Sequence, residues 1–257
     1  MPVEARAEPA AALGAPLLVA RNLKKAFGAL VAVNDVSFAV APGQVFGIAG
    51  PNGSGKSTLF NVLSGIPFGP DGGTIDFAGR PVAGLPPHGI ARAGLVRSFQ
   101  KDVTFGTLSA VETVRVSAVF GGGRSRKAAG AEAARLLDRV GLPQSRRGGE
   151  SGALPIFDKK RLAVASALAL EPKLLLLDEP ASGLTKPEIT DLAALITDLR
   201  REGLTVMLVE HVLPLLMAVS DTLMVMNQGT VIAEGVPDAV FRNPKVVEAY
   251  LGRRAPV

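Results

Sequence analysis

Residues 45–65, VFGIAGPNGSGKSTLFNVLSG, constrain the fold more than any other stretch. An apolar run of strand character enters the loop Gly50-Pro51-Asn52-Gly53-Ser54-Gly55-Lys56-Ser57, which fits G-x-x-x-x-G-K-[ST]. Leu59, Phe60 and Leu63 then read as one face of a helix that Gly65 stops. A polyphosphate needs many donors close together, and glycines let backbone N–H groups converge on it without a Cβ in the way. The helix opening at Lys56-Ser57 adds its positive end. Lys56 supplies a charge for the outer phosphates, the Ser57 hydroxyl can ligate Mg²⁺, and Thr58 closes the set. A glycine-rich turn with a surface lysine is the plain alternative; the strand before and the helix after argue against it.

A second stretch answers the first. Leu174-Leu175-Leu176-Leu177 is an apolar run that ends in Asp178-Glu179-Pro180. A buried parallel strand presents its C-terminal end to a ligand crevice. There Asp178 would hold a metal through water and Glu179 would polarise an attacking water. Around these two stretches, strands and helices alternate. VFGIAG, KLLLL and LTVMLVE read as buried strands; STLFNVLSG, 131–142, 159–170 and PEITDLAALITDLRREG read as helices. LLVARNL and VNDVSFAV read as earlier strands, 121–130 as a flexible basic loop, and TLMVMNQGTVIAEG as a hairpin turning at Asn227-Gln228-Gly229. The pattern predicts an α/β domain with a mostly parallel sheet covered on both faces.

The 257 residues, 47% hydrophobic and 20% charged, suit one such domain with a sizeable core. With no cysteine, thiolate metal sites and disulfides are excluded, and two histidines are too few for a metal cluster without carboxylates. No apolar run reaches the length of a membrane span. The first 16 residues lack the apolar core of a secretion signal and read as a disordered tail. The net charge of +5 comes from residues scattered along the chain and reads as a solvated surface.

The order of GPNGSGKST, Arg97-Ser98-Phe99-Gln100, LLLLDEP and Val209-Glu210-His211 resembles the ATP-binding subunits of ABC transporters over residues 17–252. The resemblance implies a P-loop NTPase fold, as a single ABC-type ATPase domain with a core lobe and a helical lobe at about 101–165. It also implies ATP and Mg²⁺ as ligands, transmembrane permease subunits as partners, no nucleic acid, and a peripheral seat on the cytoplasmic face of the inner membrane. Gln100 would touch the metal or water and sense the membrane domain; His211 would contact the γ-phosphate; Phe27 would stack on adenine. Read alone, Gln100 is a strand-end polar group, His211 a solvated histidine and Phe27 a core residue. Phe27-Gly28-Ala29-Leu30-Val31-Ala32-Val33 and the ending Val231–Gly235, Asn243-Pro244 and Val247–Gly252 are similar to the ATPases of branched-chain amino acid importers. That likeness implies uptake of hydrophobic amino acids or related amides, with an extracytoplasmic solute-binding protein. Lipopolysaccharide-export and urea-uptake ATPases look similar, and a catalytically weak regulatory subunit is a further alternative.

Two places depart from the family. Where it carries LSGGQ, this chain reads Leu154-Pro155-Ile156-Phe157-Asp158, and only the leucine survives. Proline removes an N–H, and Phe157 puts bulk where a phosphate would need close approach. Lys159-Lys160-Arg161 either replace that charge or face solvent. Thr185 stands where the family has aspartate or asparagine. An intact Lys56/Asp178/Glu179/His211 set beside a degraded signature implies pairing with a different ATPase chain, giving two unequal composite sites.

Overall fold

The computed structural model describes residues 15–98 and 105–251. The chain opens with β1 (Leu18–Phe27), β2 (Leu30–Val40), β3 (Val45–Ala49), α1 (Lys56–Ser64), β4 (Gly72–Phe77) and β5 (Arg80–Pro81). It continues through α2 (Pro87–Ala93), β6 (Leu95–Ser98), α3 (Ala110–Phe120), α4 (Arg126–Arg139) and α5 (Ile156–Leu168). Then follow β7 (Leu174–Asp178), α6 (Lys186–Arg201), β8 (Thr205–Val209), α7 (Leu213–Val219), β9 (Thr222–Asn227), β10 (Thr230–Gly235), α8 (Pro237–Phe241) and α9 (Pro244–Leu251).

The strands form two sheets. A six-stranded sheet runs β10-β9-β3-β8-β7-β6, parallel except at β10, and a four-stranded antiparallel sheet runs β2-β1-β4-β5. Side chains on a strand alternate faces, so a strand buried on both sides must be apolar throughout. That is why β3, β7 and β8 contain no exposed residue. Their alternate residues enter two different cores. Phe46, Ile48, Leu174, Leu176, Met207 and Val209 meet α1 and the antiparallel sheet, while Val45, Leu175, Leu177, Val206 and Leu208 meet the helices of the other face. Each fully buried Leu or Phe contributes about 1.5–3 kcal/mol.

The sequence predicts one sheet with helices on both faces; the second sheet is a correction. β1 pairs with β2 on one side and β4 on the other rather than with the parallel strands (Leu18 lies opposite Val40 and Phe77), and this sheet covers one face together with α1. Local pattern identifies a strand but not its partner, which is set at long range.

The helical packing also differs from the sequence reading. The basic loop expected at 121–130 is already helical from Arg126, because the Ser125 hydroxyl caps α4 by accepting from the Ala128 N–H. Helix α5 begins at Ile156, not Lys159. Alanines on α3 (Ala110, Ala118), α4 (Ala129, Ala133) and α5 (Ala165, Ala167) let these helices approach closely. The expected tail at 1–16 falls largely outside the described residues, as do residues 101–104 at the start of the expected helical lobe. Among the described residues no helix is long and apolar enough to cross a membrane.

Candidate functional site

The C-terminal ends of the central strands line up. Ile48 pairs with Val209, Val209 with Asp178, and the N–H groups of Glu179 and Glu210 donate to Val209 and Ile48. The phosphate loop, the acidic pair and the segment at His211 therefore leave the sheet at one edge.

The loop is shaped by close approaches. A Cβ on Gly50 would lie 2.2 Å from the Met226 carbonyl oxygen, and one on Gly55 would lie 2.2 Å from that of Ala32. Both have positive φ, at 145° and 103°, so glycine is required on steric and conformational grounds. The β9–β10 turn braces the loop: the Gly229 N–H donates to Ser54 O at 3.0 Å, and the Asn34 N–H donates to Gly229 O at 2.8 Å. The Lys56 ammonium is buried inside the loop and donates to Gly50 O at 2.7 Å and Pro51 O at 2.9 Å. Burial lowers its pKa, and the negative charge of Glu179 opposes that, so these two groups feel each other across the site. Ser57 is exposed at the helix start, Ser54 is buried, and Thr58 is half-buried.

Asp178 is buried and accepts from the Arg97 guanidinium at 2.5 Å through Oδ2, while its buried Oδ1 has no partner among the described residues. An orphaned carboxylate oxygen on an anion site suits a hard cation that takes few protein ligands and keeps its waters. Ser57 and Asp178 thus fit Mg²⁺ chemically. Among the described residues no group of three or more His, Cys, Asp or Glu could hold a metal ion. Glu179 has φ 45°, a left-handed backbone that costs about 1–3 kcal/mol in a non-glycine residue and marks a site where geometry outranks stability.

The remaining expected residues are dispersed. His211 is 55% exposed in its side chain, with Nδ1 3.8 Å from Glu210. Phe27 lies at the tip of the β1–β2 hairpin, 44% exposed, edge-on to Phe68 at 5.0 Å with Lys25 over both rings. That placement corrects the core alternative for Phe27. Gln100 lies outside the described residues.

At the family's signature position the side chains turn inward. Phe157 and Asp158 are buried, and Asp158 accepts from Arg146 and Arg161. Arg161 stacks over Phe157 at 3.9 Å, so it does not simply face solvent. Of Leu154–Asp158, Pro155 and Ile156 are exposed. Thr185 caps α6: its N–H and hydroxyl both reach Glu188 Oε2, at 2.8 and 2.7 Å.

Three residues escaped the sequence reading. Glu210 is fully buried and accepts from the N–H groups of Ala181, His211 and Val212, which ties the segment after Glu179 to the His211 turn. Arg97 links Asp178 to α1. Tyr250 on α9 brings its phenol to the Gly50 N–H; burial raises its pKa and that N–H opposes the rise. Glu210 and Arg97 sit inside motifs quoted above, but no sequence pattern reveals which atoms they bind. Tyr250, the only tyrosine, likewise sits inside the quoted ending Val247–Gly252, which carries a family likeness but no sign of a contact with Gly50.

A glycine-opened loop at a helix start, faced by a strand ending in carboxylates, defines a nucleoside-triphosphate-binding α/β domain. The ABC transporter family model matches residues 33–182, and that of the branched-chain amino acid ATP-binding cassette transporter matches 230–256. The chain belongs to the ABC transporter family of ATP-binding ATPases, in the branch of the branched-chain amino acid transport ATP-binding proteins. It is 40% identical to the high-affinity branched-chain amino acid transport ATP-binding protein BraF of Pseudomonas aeruginosa, over 92% of this chain and 98% of that one. It is 32% identical to the lipopolysaccharide export system ATP-binding protein LptB of Acidithiobacillus ferridurans, over 92% and 97%. A crystal structure of a nucleotide-free ATP-binding cassette from an ABC transporter superposes with a TM-score of 0.84 at 29% identity, covering 93% of this chain and all of the other.

Proposed function

We propose that this chain hydrolyses MgATP to power a membrane importer of branched-chain amino acids or related amides. The single observation that carries the chemistry is the convergence of Lys56, Asp178 and Glu179 at one sheet edge. Lys56 and the loop N–H groups bind the phosphates. Glu179 accepts a proton from the attacking water as the new P–O bond forms and the bond to the bridging oxygen breaks. His211, held by Glu210, contacts the γ-phosphate, and Gln100 reports on the membrane domain. Ser57, Gln100 and Asp178 would hold Mg²⁺, which would supply charge neutralisation at the phosphates. Phe27 offers an exposed ring to adenine.

The partners in this reading are two transmembrane permeases, an extracytoplasmic solute-binding protein and a second, different ATPase chain. The chain sits at the cytoplasmic face of the inner membrane. The support for a different second chain is the inward-turned Phe157 and Asp158, which leave the α5 start poor in donors for a phosphate held opposite. Likeness to the lipopolysaccharide-export protein keeps export as the second reading.

The experiment measures ATP turnover by the chain alone, by the complex recovered from membranes, and by that complex carrying Glu179→Gln. Turnover confined to the complex, and reduced about 10²–10⁴-fold by the substitution with ATP still bound, is expected. A homodimer as fast as the complex sinks the unequal-site reading. Unaltered turnover in the variant removes Glu179 from the chemistry.

A further inference from the structure

Arg97 is a buried fork between the two halves of the site. One guanidinium nitrogen donates to Asp178 Oδ2 at 2.5 Å; the other donates to Asn61 Oδ1 at 2.7 Å and Ser64 Oγ at 3.2 Å. Its side chain is 7% exposed and that of Asp178 4%. Asn61 and Ser64 lie on α1, the helix that opens with Lys56-Ser57, and Ser64 is itself fixed by donating to Phe60 O at 2.8 Å. The guanidinium also lies 5.8 Å from the Phe60 ring centroid. Strand β6 delivers Arg97 beside β7, with Arg97 level with Leu176.

This arrangement does two things, the first of which a lysine could not do. The planar fork spans two elements at once and so fixes the spacing of Ser57 and Asp178. It also occupies only one oxygen of Asp178 and leaves Oδ1 buried and, among the described residues, without a partner. We propose that Arg97 is a positioning residue of the nucleotide site, holding the Asp178 carboxylate oriented against α1 so that its second oxygen serves the metal's shell. The inference rests on the reading above that Asp178 and Ser57 serve Mg²⁺.

The test is equilibrium binding of a fluorescent ATP analogue to the full chain, in excess MgCl₂ and in EDTA, for the native chain, Arg97→Met, Arg97→Lys and Asp178→Asn. The readout is the ratio of the two Kd values, which is the metal's contribution to binding. Arg97→Met is expected to cut this ratio about tenfold, the scale of one hydrogen bond to a charged group, and to leave the EDTA Kd within about twofold. Arg97→Lys keeps a charge but loses the fork, and is expected to cut the ratio nearly as far. Should Arg97→Met fail to fold, Asn61→Ala removes the shorter of the two α1 contacts, leaves the one to Ser64, and is expected to lower the ratio about threefold. An unchanged ratio, a full rescue by lysine, or equal weakening with and without metal overturns the proposal. A rise in the ratio would make Arg97 a screen against the metal and overturn it too. If Asp178→Asn leaves the ratio intact, the metal assignment itself has failed, independently of Arg97.

Discussion

Two helices in this molecule start where a phosphate could be met, and they are built in opposite ways. At α1 the first turn holds no acidic residue, and glycines flank the start. At α5 the first turn holds a buried aspartate, the cap is Pro155, and the arginines nearby are spent on that aspartate. Both helices have the same backbone dipole. What differs is whether the first turn already contains its own anion and whether a side chain fills the approach. A helix start becomes an anion site only when the sequence leaves it unanswered.

The sharpest way to break this comparison is to remove a lysine from each. Lys56→Ala deletes a buried cation inside the loop and is expected to weaken ATP binding about 10–100-fold, the scale of charge-assisted hydrogen bonds. Lys160→Ala, in the first turns of α5, is expected to change the affinity of the isolated chain less than about twofold, as for a partly solvated charge. Titration calorimetry of both variants checks this. Comparable losses would mean that the two starts are functionally alike.

Asp158→Ala tests the other side. If the carboxylate is structural, its loss removes hydrogen bonds from Arg146 and Arg161 and destabilises the chain by about 2–3 kcal/mol. ATP affinity should stay unchanged. A urea midpoint shifted at constant slope is the readout. A stable variant with altered nucleotide binding would reassign Asp158 to the site.

The loop, the acidic strand and the β9–β10 hairpin are legible in the sequence because their chemistry is local. Gly50, Gly55 and Lys56 declare a phosphate cradle by spacing alone, and the hairpin turns where Gly229, at φ 80°, allows it, with Gln228 beside it at 47°. The antiparallel sheet was not legible, since nothing in LLVARNL says that it will pair with residues 72–77. The early start of α4 hid behind GGGRSRKAAG, whose glycines and charges mask a capping serine. Arg97 and Glu210 were seen as letters of a motif. Their roles depend on Asn61, Asp178 and Ala181, which are distant in sequence.

Glu210 offers the smallest effect and the finest test of how the site is tied together. Burial raises its pKa above that of an ordinary glutamate, against the lowering by the Ala181, Val212 and His211 N–H groups. A carboxyl whose folded pKa is raised binds its proton more tightly in the native state. Its contribution to stability therefore falls as pH rises from about 4.5 through the folded value, and the cost stays in full above it. Exposed carboxylates such as Glu188 and Glu112 have lowered pKa values and act in the opposite sense, losing their contribution as pH falls. Glu210→Gln removes the first dependence and leaves the second. Between pH 4.5 and 7 the variant's stability should fall less, or rise more, than that of the native chain, by a slope difference below about 1.4 kcal/mol per pH unit. Its absolute stability should be lower throughout, because an amide NH₂ would face N–H donors that the carboxylate accepts. Parallel stability–pH curves for the two chains would show that Glu210 is as ionised in the folded chain as in the unfolded one. The tie between Ala181 and the His211 turn would then carry no desolvation cost.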